Sequence, residues 1–334
     1  MGSPSVSLLM PVRNMAHTVG PALDSVRREL ASSDQIVLVD DRSTDGSGDL
    51  LRELSRADSR IEIVEGPAAG VARALNAGLE RCRGELIVRM DADDESLPGR
   101  VRESVAALEK DPSLAAVGTQ VEIFRDDQPV SPNMRAYEAW LNSLTSFEAL
   151  FADRFVESPL CHPSTTIRRA ALMEVGGFPD GPFPEDYALW LELLSRGKTL
   201  VNLPRVLFRW RDHAQRATRE DSRYEQRRHL ELKARYLAKI VGGRCGILGA
   251  GRTGLALSRA LAAFGSRTEF FVDVSPKKVG AIVEGVRVLG HEDLRGPTGV
   301  MLIGAVGSKG GRAELRALLG GRGYVEGRDF VCAA

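Results

Sequence analysis

Short apolar runs alternate with amphipathic stretches through the first hundred residues. Ser5 to Met10 reads as a strand that ends at Pro11. From about Thr18 the apolar positions are Val19, Leu23, Val26 and Leu30, spaced to fill one helical face. Gln35 to Val39 is a second strand. Ser43-Thr44-Asp45-Gly46 then supplies capping residues before a helix that carries Leu50, Leu51 and Leu54. Ile61 to Val64 is a third strand. Val71, Ala74, Leu75, Gly78, Leu79 and Cys82 share the next helical face, and Leu86 to Met90 is a fourth strand. The alternation predicts an α/β fold with a mostly parallel sheet covered on both faces. Ligands of such sheets collect beyond the carboxyl ends of the strands. Pro11-Val12-Arg13-Asn14, Asp40-Asp41 and Asp91-Ala92-Asp93 occupy three of those ends and are expected to converge.

Further along, Val101 to Lys110 reads as a helix and Ala115 to Phe124 as a strand. One helix is expected around Tyr137 to Phe155, another from Glu185, and a closing strand over Val206 to Arg211. Residues 214–240 are charged and read as helical. At Arg244 the pattern restarts. A strand, Cys245 to Leu248, leads through Gly249-Ala250-Gly251-Arg252-Thr253-Gly254 into an apolar-faced helix, Leu255 to Phe264. A strand over Thr268 to Val272 ends at Asp273, and Gly285 to Leu289 and Val300 to Ala305 suggest two more. The expected organisation is a first domain over residues 1–214, a helical linker over 215–241 and a small Rossmann-like α/β domain over 242–334. The two halves carry different motifs, so no internal repeat is read.

Charge narrows the partners. Lys plus Arg equals Asp plus Glu, 45 each, so no global field points to nucleic acid. No uncharged apolar run approaches the ~18 residues of a membrane span, and the first residues lack a basic segment followed by an apolar one. The basic run from Arg205 to Arg235 is interspersed with Glu220, Asp221, Glu225 and Glu231. It suits a salt-bridged helix better than a lipid-facing one, so membrane contact is expected to be peripheral at most. Cys82, Cys161, Cys245 and Cys332 are widely spaced and form neither a C-x-x-C pair nor a zinc pattern. A reducing cytoplasm is the simplest setting.

Asp91-Ala92-Asp93-Asp94 is the strongest chemical signal. Like charges that close repel, and each raises its neighbour's pKa. A divalent cation removes the conflict, and hard carboxylate oxygens suit Mg²⁺ or Mn²⁺ shared with substrate phosphates. A solvated acidic turn is the alternative reading of the same residues.

Five motifs in order carry a resemblance. They are Met10-Pro11-Val12-Arg13-Asn14, Val39 through Gly46, Gly70 through Gly78, Asp91-Ala92-Asp93-Asp94, and Gly176-Gly177-Phe178 followed by Glu185-Asp186-Tyr187-Ala188-Leu189-Trp190. Over residues 5–215 the chain resembles glycosyltransferase family 2, inverting nucleotide-sugar enzymes of the GT-A fold. The resemblance implies a metal-dependent hexosyl- or N-acetylhexosaminyltransferase. It would take a nucleotide-sugar donor, a UDP-sugar first, and act on a glycan or lipid-linked acceptor at the inner face of the membrane.

The resemblance also implies roles. Pro11 would shape the loop under the nucleoside. Arg13 stands where the family often has an aromatic residue, and a guanidinium can stack on a base. Asp41 would accept a hydrogen bond from the base, and Arg73 would face the diphosphate. Asp91 would reach the ribose or the metal's water shell. Asp93 would bind Mn²⁺ or Mg²⁺, with His213 near metal and diphosphate. Asp186 would be the general base, oriented by Glu185, and His162 and Trp190 would lie on the acceptor side. Each residue also has a plainer reading. Asp41, Glu185 and Asp186 suit helix-capping or first-turn acids, Arg73 and His213 surface positions, and His162 a structural hydrogen bond.

Gly249, Gly251 and Gly254, with Asp273 at the end of the next strand, fit a dinucleotide fingerprint in spacing. Dinucleotide binding, another nucleotide, and a structural or interaction role all stay open. An NAD-dependent oxidoreductase acting through this domain is the competing function. It lacks a Tyr–Lys pair, since Tyr324 has no lysine four residues later. A non-catalytic nucleotide-sugar sensor would have no use for Asp186. A nucleotidyltransferase would need a Gly-rich triphosphate loop that Pro11 to Gly20 does not offer.

Overall fold

The computed structural model describes residues 5–334, apart from 215, 217, 218, 220, 298 and 309. The chain divides into two compact units: Met1–Leu150, Pro159–Gly181 and Glu185–Glu220 form the first, and Phe151–Ser158, Pro182–Pro184 and Asp221–Ala334 the second.

The first unit opens with β1 (Val6–Val12), α1 (Val19–Arg27), β2 (Gln35–Asp40), α2 (Ser47–Ala57), β3 (Ile61–Glu65), α3 (Val71–Leu79) and β4 (Leu86–Arg89). These are the strands and helices expected from periodicity. Beyond them lie β5 (Glu95–Ser96), α4 (Arg100–Lys110), β6 (Leu114–Phe124), α5 (Pro132–Ser143), α6 (Phe147–Asp153), β7 (Thr166–Arg168), α7 (Arg169–Glu174), α8 (Glu185–Ser195) and β8 (Thr199–Arg211). The single helix expected around 137–155 is two helices. Leu144 leaves the helical region, and the Ser146 hydroxyl accepts from the Ala149 amide to start the second.

Eight strands form one sheet in the order β3-β2-β1-β4-β7-β6-β8-β5. The pairs among β3, β2, β1 and β4 are parallel, as is β6 with β8, while β7 is antiparallel to both its neighbours. Alternate residues of β1 face opposite layers. Leu8 and Met10 join Val19, Leu23 and Val26 of α1 in one core. On the other side α3 lies close because residue 78 is glycine: a Cβ there would stand 2.4 Å from Leu9 and 2.6 Å from Val39. Arg100 is a buried strut of this unit. It donates to the Ser96 hydroxyl and to the Arg89 and Pro163 carbonyls, and lies over the Phe208 ring.

The second unit contains α9 (Gln226–Ile240), β9 (Arg244–Leu248), α10 (Arg252–Ala262), β10 (Arg267–Asp273), β11 (Ile282–Val283), β12 (Val286–Gly290), β13 (Met301–Gly304), α11 (Gly311–Gly320) and β14 (Phe330–Cys332). Its sheet runs β11-β12-β10-β9-β13-β14 and is parallel except for the β11–β12 hairpin. The stretch expected as a linker belongs largely to this unit, because Leu232, Ala234, Tyr236 and Leu237 of α9 are buried. Several arginines of the basic run have acidic partners: Arg209 pairs with Glu95 and Glu122, Arg219 with Asp212, and Arg227 and Arg228 with Glu231. No helix among the described residues is long and apolar enough to cross a membrane.

Candidate active site

Strand β4 is wholly buried, and the chain turns at once through Asp91 to Asp94. Oxygens of Asp91, Asp93 and Asp94 lie within 4.8 Å of one another. Asp94 is buried, and its Oδ2 has no hydrogen-bond partner. Burial, then the charges of Asp93 and Asp91, push its carboxyl well above the usual range. Asp91 is raised for the same first cause, against the pull of Arg89.

The end of β8 is stapled to it. The Arg211 amide donates to Asp94 Oδ1 at 2.8 Å, and its Nε donates to the Asp93 carbonyl at 2.6 Å. His213 follows, with Nε2 2.9 Å from Asp93 Oδ2. His213 and Asp93 thus lie side by side although 120 residues of chain separate them.

Arg89 was not singled out by sequence reading. It is 2% exposed and its Nη1 contacts Asp91 Oδ1. Burial alone would lower its pKa; Asp91 first, with Glu185 and Asp94 contributing, raises it instead. This guanidinium thus lies in the field of both the acidic turn and the first residue of α8. Asp94 and Arg211 were likewise not assigned. The available signal was a charged residue breaking an apolar strand two positions before the acids.

At the end of β2, Asp41 is buried. Its Oδ1 accepts from the Ala68 amide at 2.7 Å, and its Oδ2 lies 3.6 Å from the Arg13 guanidinium. Pro11 is half-buried beside it in β1. Arg73 donates through Nε to Asp180 Oδ2 at 2.6 Å, so facing a diphosphate would mean exchanging that partner. Its neighbour Asn76 makes a reciprocal pair with the Phe178 backbone, 2.8 Å each way. These contacts tie α3 to the loop that precedes α8.

Glu185 and Asp186 begin α8, Glu185 buried and Asp186 partly exposed. His162 and Trp190, expected on the acceptor side, are both buried. His162 is 4% exposed and Trp190 fully buried, edge to face at 5.6 Å, with Phe178 5.5 Å from the imidazole. They form the packing beneath α8. Burial, then Arg89, holds the His162 imidazole well below its ordinary pKa. In the second unit Gly249, Gly251 and Asp273 meet at one cavity, with Gly254 in the first turn of α10.

A family model described as Glycosyl transferase family 2 matches residues 7–176. Among curated relatives, an uncharacterized glycosyltransferase of Haemophilus influenzae is 30% identical over 216 residues, 63% of this chain and 66% of its own length. The amylovoran biosynthesis glycosyltransferase AmsE of Erwinia amylovora is 30% identical over 192 residues, 57% of this chain and 68% of its own. An Escherichia coli enzyme named UDP-Gal:alpha-D-GlcNAc-diphosphoundecaprenol beta-1,3-galactosyltransferase is 25% identical over 61% of this chain and 73% of its own. The chain thus spans about two thirds of these relatives. Among solved structures, the mannosyltransferase PcManGT of Pyrobaculum calidifontis with GDP-Man and Mn2+ superposes with a TM-score of 0.52 at 21% identity, covering 79% of this chain and 70% of that one. TarS 1-349 of S. aureus in complex with UDP-GlcNAc gives 0.52 at 14%, covering 77% and 71%.

Proposed function

Because the chain belongs to glycosyltransferase family 2, we propose that its first unit is a metal-dependent inverting transferase that moves a hexosyl or N-acetylhexosaminyl group from a UDP-sugar to a glycan or lipid-linked hydroxyl. The fold is GT-A, followed by a Rossmann-like unit. The observation that carries the reading is the acidic turn: three carboxylates within 4.8 Å, one with a buried oxygen that lacks a partner. The three carboxylates offer hard oxygen, which fits Mn²⁺ or Mg²⁺, and a neighbouring imidazole is an acceptable further ligand for Mn²⁺. Asp93 and Asp91, with His213 beside Asp93, would hold it. A bound dication would neutralise the leaving diphosphate as a Lewis acid and template.

The remaining roles fall to side chains. Asp41, half engaged by Ala68, presents Oδ2 and the adjoining Arg13 to the base. Arg89 fixes Asp91 from below and attracts Glu185, holding the acidic turn and the start of α8 in one electrostatic frame. Asp186, more exposed than Glu185, takes the proton from the acceptor hydroxyl as its oxygen attacks the anomeric carbon. Attack opposite the leaving nucleotide inverts that centre. The UDP preference draws on the names of the E. coli relative and the TarS complex.

A donor screen with UDP- and GDP-sugars, with and without Mn²⁺, reads this through released nucleoside diphosphate. Turnover should require metal. Asp93→Ala should lose at least ~100-fold, and Asp186→Asn ~10²–10⁴-fold, both with unchanged circular dichroism. Wild-type rates in Asp93→Ala or in chelator would end the metal assignment, and a product with retained anomeric configuration would end the inverting one.

A further inference from the structure

The second unit holds a cavity of about 520 Å³ that the transfer reaction does not use. It opens at the carboxyl ends of β9, β10 and β13, where strand order reverses on either side of β9. Parallel α/β sheets bind ligands at such a switch point, and the volume is that of a small-molecule site. Two helices start at its rim, α10 after Gly251 and α11 after Gly310, and neither has a side-chain cap. Their first-turn N–H groups favour an anion.

The three glycines of the β9–α10 loop separate into two kinds. Gly249 has φ +110°, and a Cβ on Gly254 would stand 1.9 Å from the Gly249 carbonyl oxygen, so the fold itself requires both. Gly251 is different. Its φ of −100° is open to any residue, and a Cβ there would meet only the Lys278 ammonium, 3.9 Å away. Neither backbone nor packing asks for glycine at 251. What its missing side chain does is keep clear the space between the helix start and Lys278.

Asp273 sets the ligand class. Its Oδ1 accepts from the Ser275 amide, and its Oδ2 from the Ala250 amide and Lys278 Nζ, at 2.8–2.9 Å. A carboxylate that grips a ribose diol needs its oxygens for that diol. This one clips the glycine loop to the end of β10 and holds an ammonium over it. Tyr324 lies outside the cavity lining, buried, with its hydroxyl donating to the Gly296 carbonyl.

We infer that this cavity binds a nucleoside diphosphate, its diphosphate over Gly251 between the α10 N-terminus and Lys278, its nucleoside against Val274, Leu315 and Leu318. It is a binding site and not a nicotinamide redox site. The inference stands apart from the transferase reading.

Hydrogen exchange on the full chain in chelator, with ADP, UDP, GDP or NAD⁺ at saturation, tests it. At least one nucleoside diphosphate should slow exchange in residues 249–256. Gly251→Asp puts a carboxylate where the diphosphate would sit, while giving α10 a favoured N-cap. It should abolish that protection with the melting temperature unchanged or raised. Lys278→Gln, which removes the ammonium without setting a like charge beside Asp273, should weaken binding tenfold or more. Protection by NAD⁺ alone, protection that survives both substitutions, or no protection by any of the nucleotides would overturn the inference. Residues 39–45 and 89–95 report the first unit's site in the same experiment, so the two readings fail separately.

Discussion

A histidine kept neutral by burial ties stability to pH, and His162 is such a group. Its folded pKa lies below the ordinary 6.5. Between the two values the unfolded chain binds a proton that the folded chain does not, so its contribution is complete above 6.5 and is lost as pH falls. Asp94 acts in the opposite sense. Its folded pKa is raised, so its contribution is complete below the ordinary carboxylate value and is lost as pH rises. The two oppose each other in mild acid, and only a difference isolates either. The unfolding free energy of wild type minus that of His162→Gln should rise with pH below about 6.5, by at most ~1.4 kcal/mol per unit. A difference flat from about pH 5 to 7 would mean the imidazole is solvated. At this scale the acids were legible and depth was not. Asp91 and Asp93 announce themselves by following an apolar run, whereas nothing near His162 or Trp190 in sequence says that both side chains face inward. The Asp93–His213 contact was legible only through family order, since 120 residues separate the pair.

Between elements, the joint of α3 with the loop before α8 depends on two residues from separate sequence motifs, Asn76 in Gly70 through Gly78 and Gly177 in Gly176-Gly177-Phe178. Asn76 exchanges two hydrogen bonds with the Phe178 backbone. Gly177 has φ +90°, and a Cβ on it would lie 2.5 Å from Asn76 Oδ1. Gly177→Ala should therefore cost ~1–3 kcal/mol, from left-handed strain and from the clash. In an Asn76→Ala background the clash is gone and only the strain of ~1 kcal/mol remains. Denaturant unfolding of the four proteins should show coupling of about 1 kcal/mol; additivity within ~0.5 kcal/mol would mean the loop moves freely from α3. Element type was legible because β1, β2 and β4 are short apolar runs buried on both faces, while α1 and α3 each bury one face. Boundaries failed where polar residues cap locally: Ser146 restarts a helix that the apolar positions on either side make continuous. Charge hid the face of α9, whose buried Leu232, Tyr236 and Leu237 are outnumbered by Arg, Lys and Glu.

A hydrophobic core within each unit predicts two cooperative transitions. The cysteines report them. Cys82 and Cys161 are buried in the first unit, Cys245 and Cys332 in the second. Burial pushes the thiols of Cys82 and Cys332 up to about 12 and that of Cys245 up to about 11, with Cys161 also well above its ordinary value. Since the thiolate is the reactive form, none should be alkylated in the native protein at about pH 8. In a urea series, pulse labelling read by peptide mass should expose Cys82 and Cys161 along one curve and Cys245 and Cys332 along another, each pair sharing a midpoint. A nucleoside diphosphate held over Gly251 should then shift the Cys245–Cys332 midpoint upward by mass action. In chelator it should leave the other midpoint in place, because the acidic turn lacks its cation there. Exposure of Cys82 and Cys161 at separate midpoints would show that the eight-stranded sheet does not unfold as one body.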